Sequence, residues 1–136
     1  MVAMWKSPEP PVPPQANMAV DFLGLRFANP VIPAAGPNVR DGEMLSRVAD
    51  AGAGGLLAKT VSVHAARVPR PHMALYGRAG LINTELWTEL TLEQWLEHEY
   101  DLGLAAARKH GIPFIASVGY SADDLKSIAG RVEQKG

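Results

Sequence analysis

Asn83 and Glu85 stand two residues apart, so on an extended segment they point the same way. An amide donates and accepts while a carboxylate only accepts, so the pair can read a flat ring with alternating N–H and C=O groups. A pyrimidine has that outline. The ordinary alternative is that Asn83 closes a turn and Glu85 is a solvated charge. Lys59 ends a short, nearly uncharged run, Gly54-Gly55-Leu56-Leu57-Ala58-Lys59-Thr60, and a lysine there either stops a strand in solvent or places a cation at a strand's carboxyl end. In parallel α/β folds that end collects chemistry, because the loops leaving it vary while the strands stay fixed.

The elements that must position these residues follow from periodicity and caps. Met18 to Phe27 carries two apolar runs around Leu23-Gly24, which predicts a small β-hairpin that covers another part of the fold. Val31-Ile32-Pro33-Ala34-Ala35 has the apolar character of a fully buried parallel strand, and Gly36-Pro37-Asn38 turn the chain after it. Asp41 is placed to cap a helix that buries Met44, Leu45, Val48 and Ala49 and stops at Gly52. The run ending at Lys59 is then a second strand, and a strand, a helix and a strand with brief connections predict parallel pairing.

About 30 residues from Val61 to Leu90 show no sustained periodicity, far beyond the ~4 to 6 of a usual connection. With Leu81-Ile82 and Leu86-Trp87 as anchors, this is expected to be an ordered active-site loop. Thr91 and Gln94 form a capping box, and Leu90 can staple against Trp95. Leu92, Trp95, Leu96, Tyr100, Leu104 and Ala107 keep a helical period until Gly111, with Pro113 beyond. Pro113 to Val118 repeats the buried-strand pattern, and Ser121 opens a further helix through Leu125, Ile128, Ala129 and Val132. About three parallel strand-helix units preceded by a hairpin are fewer than the eight of a closed barrel. The expected fold is α/β, the first half of a TIM (β/α)8 barrel.

Composition narrows the partners. The chain has 136 residues and a net charge of -1, which argues for one soluble domain and against a nucleic-acid or anionic-membrane surface. Arg67 and Arg70 leave room only for a local basic patch. Cysteine is absent, so there is no disulfide, thiolate metal site or cysteine nucleophile; a reducing, cytoplasmic location is expected. No apolar run reaches the ~20 residues that span a bilayer. Residues 1–17 hold five prolines and no apolar signal core, and read as a proline-rich flexible tail; residues 18–136 read as one partial barrel domain, ending before a fourth strand. His64, His72, His98 and His110 lack a spacing that puts two on one helical face, so no metal is expected. The glycines at 52, 54 and 55 precede a strand instead of following one, so they are not a dinucleotide fingerprint.

Taken in order, LGLRFANPVIPAAG, LLAKT, the Pro69-Arg70 loop, INTEL and IASVG resemble the first half of the dihydroorotate dehydrogenase family. These flavin enzymes share their barrel with the pyrimidine-reducing domain of dihydropyrimidine dehydrogenase, and the resemblance spans residues 20–136. It implies FMN across the barrel mouth, with Ala34, Ala35 and Gly36 near the isoalloxazine. Lys59 would offset the charge of the reduced ring, Thr60 would add a hydroxyl, and Ser117 would line the flavin floor or else be an ordinary core serine. Asn83 aligns with the family's ring-binding asparagine, and Asn83-Thr84-Glu85-Leu86 resembles the Asn-x-Glu-Leu of the dihydropyrimidine dehydrogenases. Glu85 and Leu86 would then meet the substrate. A carboxylate there repels orotate's carboxylate unless a cation intervenes, which favours a neutral pyrimidine such as uracil or thymine over dihydroorotate/orotate. The family's proton-exchanging cysteine or serine and its phosphate clamp lie beyond the fourth strand. These residues alone are therefore expected to be inactive, and to need a C-terminal half-barrel or a second copy. A non-catalytic half-barrel that serves in assembly is the other expectation.

Overall fold

The structure, a computed structural model, describes residues 16–136. Nearly all of the expected tail, residues 1–15, lies outside the described residues.

Strands β1 (Val20–Phe22) and β2 (Leu25–Phe27) form the expected antiparallel hairpin, with Val20 opposite Phe27. Leu23 and Gly24 turn it with φ of 50° and 77°, the two positive values that match the right-handed twist of a two-residue hairpin. Within its strands only Phe27 is buried. Its ring lies over Gly55, where an added Cβ would come within 2.7 Å of it, and a Cβ at Gly54 would stand 1.9 Å from the Asn29 carbonyl. The glycines thus serve close approach: the Ala28 N–H donates to the Gly54 carbonyl at 3.2 Å, and the Gly54 N–H to the Val31 carbonyl at 2.9 Å.

The expected first parallel strand, Val31 to Ala35, is not a strand, and Val31 and Ile32 are 63% and 37% exposed. Its donors and acceptors are committed elsewhere. The Asn29 side chain takes the Val31 N–H at 3.0 Å, Pro33 has none to give, and the Ala34 carbonyl accepts from Gly36 at 2.7 Å in a three-residue turn. A short 3-10 turn, Pro37–Val39, leads into α1 (Gly42–Asp50). Asp41 caps that helix by accepting from the Met44 N–H at 2.8 Å, and Leu45 and Ala49 are its buried apolar residues.

Strand β3 (Leu56–Leu57) follows. The expected aperiodic loop after it contains a second antiparallel hairpin, β4 (Met73–Tyr76) and β5 (Gly80–Asn83), with Met73 opposite Asn83 and Tyr76 opposite Gly80. Thr91 and Gln94 make the capping box that opens α2 (Leu92–Gln94), which runs through a π-helical segment, Trp95–Glu99, into α3 (Tyr100–His110). Gly111, in the left-handed conformation, ends the helix. Glu99 reaches back from the π segment to accept the Gly42 N–H at 2.6 Å, meeting one of the orphan donors at the head of α1.

Strand β6 (Phe114–Ile115) pairs parallel with β3, Leu56 opposite Phe114, and a parallel bridge joins Val61 to Val118. The last helix, α4 (Ala122–Lys135), starts in a Ser121–Asp124 capping box and buries Ile128. The fold is therefore mixed α/β, but its parallel sheet has two strands instead of the three expected. The core lies between this pair and the helices: Leu45, Leu56, Trp95, Tyr100 and Ile128 are buried there, with the Phe114 ring stacked 6.5 Å from Trp95 and edge-on to Tyr100 at 5.1 Å. Among the described residues no helix is long and apolar enough to cross a membrane.

Candidate active site

Lys59 leaves the carboxyl end of β3. Its N–H donates sideways to the Val39 carbonyl at 3.0 Å, while the flanking Ala58 and Val61 amides bond to the β6 side. This switch of partner turns the Lys59 side chain inward, where the residue is only 5% exposed. A buried ammonium is costly unless paired, and here Glu85 Oε2 accepts from Nζ. Glu85 follows β5, so the second hairpin is the device that delivers the carboxylate. The Thr84 N–H donates to the His72 carbonyl at 2.9 Å, continuing the ladder one step past Asn83 and fixing where the chain turns in.

The other face of Glu85 meets a second charge system. Oε1 lies 3.5 Å from His72 Nε2, and His72 Nδ1 lies 2.8 Å from Arg70 Nη1. Arg70 Nη2 donates to both oxygens of Glu89, at 2.8 and 2.6 Å. The Lys59 hydrogen bond and its positive charge hold the Glu85 carboxyl below the usual glutamate range, against the opposing effect of burial. Lys59, Arg70, His72, Glu85 and Thr88 line a cavity of about 170 Å³, together with Arg40 and Asp41 of the α1 entry.

A second cavity of about 310 Å³ lies on the other side of Glu85, lined by Thr60, Glu85, Leu86, Trp87 and Tyr120. Thr60 Oγ1 and Ser117 Oγ meet at 2.8 Å across the parallel pair. The Trp87 indole N–H donates to the His64 carbonyl at 2.7 Å, and its ring stacks at a tilt on Tyr120 with centroids 4.4 Å apart.

Lys59, Thr60, Ser117, Glu85 and Leu86 thus lie together at one end of the parallel pair. Asn83 does not join them: it ends β5 exposed and lines neither cavity. The expected side-by-side amide and carboxylate fails because β5 stops at Asn83 and Glu85 turns to Lys59. Ala34, Ala35 and Gly36 lead into Pro37, which lies on the rim of the smaller cavity, with Ala34 exposed and the other two half-buried. His72 and Thr88 are additions to the set. The only sequence signal for His72 was its place two residues after Arg70 in a proline-flanked stretch, and Thr88, a buried threonine whose N–H donates to the Thr60 carbonyl at 2.8 Å, had none.

Among the described residues no group of three or more His, Asp or Glu side chains is arranged to hold a metal ion. No protein-family model matches the chain, and no curated protein matches its sequence.

Proposed function

We propose that the chain is part of a flavin-dependent dehydrogenase of the dihydroorotate dehydrogenase type, acting on a pyrimidine ring. The observation that carries this reading is the buried Lys59 ammonium just past a strand's carboxyl end, paired with Glu85, with the hydrogen-bonded Thr60 and Ser117 hydroxyls following at the same end of the parallel pair. That donor set suits the pyrimidine edge of an isoalloxazine, which asks for a positive charge and hydrogen-bonding groups in a water-poor setting. FMN, when bound, supplies hydride transfer to or from the ring of a dihydropyrimidine/pyrimidine pair. Lys59 would hold charge at that edge, Thr60 and Ser117 would offer hydroxyls to it, and Ala34, Ala35 and Gly36 would offer backbone groups at the rim.

Glu85 and Leu86 would face the substrate, while Asn83, exposed at the end of β5, lines neither cavity. An N–H of a neutral pyrimidine such as uracil is a natural donor to Glu85. The parallel pair and its helices are then a portion of a barrel that needs about eight such units, with turnover depending on a C-terminal half-barrel or a second copy. Titrating FMN into the purified chain tests this: flavin fluorescence quenches on binding, and Lys59→Ala, which removes the buried positive charge, weakens the binding at least ~10-fold. No quenching at any FMN concentration overturns the proposal.

The second reading, a non-catalytic half-barrel used in assembly, draws on the uncovered Val31-Ile32 segment and the exposed second hairpin. Self-association without flavin binding favours it.

A further inference from the structure

Glu85 divides its two oxygens between unlike partners: Oε2 takes the Lys59 ammonium, and Oε1 faces the His72 ring. The state of that ring is fixed by its other neighbour. A guanidinium only donates, so with Arg70 Nη1 2.8 Å from Nδ1, the Nδ1 atom has to be the acceptor. The ring proton then resides on Nε2, which lies 3.5 Å from Glu85 Oε1, a close charge contact and not a hydrogen bond. Arg70 is in turn held by both oxygens of Glu89. The charges therefore alternate along one line, Glu89, Arg70, neutral His72, Glu85, Lys59, running from exposed side chains to a buried one.

We propose that His72, as the neutral tautomer protonated on Nε2, is a positioning residue that aligns the Glu85 carboxylate on Lys59. Its importance to turnover rests on the flavin reading above; its effect on the pair does not. The groups that face this ring are Arg70 from its own stretch, Glu85 from the end of the hairpin, Lys59 and Glu89 behind those two, and Arg40 and Asp41 across the cavity.

Nitrogen-15 NMR of the histidine rings in the intact chain tests this without any cofactor. For the neutral ring the expected pattern at His72 is one protonated Nε2 and one bare Nδ1. A ring protonated on Nδ1, or on both nitrogens, overturns the proposal. Carbon-13 titration of the Glu85 carboxyl is the second measurement. His72→Phe is expected to move its midpoint upward, and His72→Gln, whose amide N–H can stand in for Nε2–H, to restore it; equal midpoints in all three proteins overturn the proposal. If His72→Phe fails to fold, the tautomer pattern of the unmutated chain still decides. Where that pattern and the midpoint shift are found but FMN does not bind, the flavin reading fails and the positioning role stands.

Discussion

The two ends of the second hairpin are built on opposite terms. At its base His72, Thr84 and Glu85 are tied into a ladder, an ion pair and a buried lysine. Along its arms Leu75, Tyr76 and Leu81 are 83%, 71% and 66% exposed, so apolar side chains that would ordinarily seek a core stand in solvent. The arms are held by backbone pairing and the base by charge. Neither resembles the helical side of the molecule, where Trp95, Leu45 and Leu56 are fully enclosed and packing supplies the hold. Stability in this chain is therefore concentrated on the helical side, and the candidate site is attached to it by Lys59 and the Glu85 ion pair.

The sharpest way to break that contrast is Trp95→Ala against Leu75→Ala. Removing the enclosed indole is expected to cost about 3–5 kcal/mol in urea unfolding, and the exposed leucine less than ~0.5 kcal/mol. Comparable losses would mean that the hairpin arms are covered in solution. A middle-sized effect is expected at the joint. Glu85→Gln leaves the Lys59 ammonium enclosed without its counter-charge, at a cost of about 3 kcal/mol, and Lys59→Met with Glu85→Leu together recovers most of it. The same pair fixes an acid dependence. Because the folded Glu85 carboxyl is held below its ordinary value, its contribution is fully present above that value and is lost as pH falls through the lowered one. Unfolding midpoints measured against pH should show this acid loss in the unmutated chain and a shallower one in Glu85→Gln. The smallest effect belongs to the first hairpin, where Leu23→Gly relieves a positive φ and is expected to stabilise by ~1 kcal/mol in the same assay.

Much of the helical side was legible because its signals are local. Asp41, Thr91 with Gln94, and Ser121 each announce a helix start by a side chain that accepts a nearby amide, and each does so in the structure. Leu23-Gly24 announced its hairpin in the same way. The second hairpin was hidden because both its faces meet solvent: Met73 to Tyr76 and Gly80 to Asn83 have no alternation to detect. Val31 to Ala35 differs for the opposite reason: its apolar character suggests burial, while Asn29 and Pro33 withdraw the groups a ladder needs. The π segment leaves no trace in a stripe of apolar residues, which tolerates one extra position. At the site, Lys59 was found through its strand end, whereas the Lys59–Glu85 partnership depends on where a hairpin of unforeseen existence turns back.

The link from Glu99 to the Gly42 amide spans 57 residues. During synthesis the earlier helix emerges from the ribosome well before the later one, so for that interval one of its leading amides has only water to bond. That contact closes only once the wide turn near Glu99 has been translated and wound.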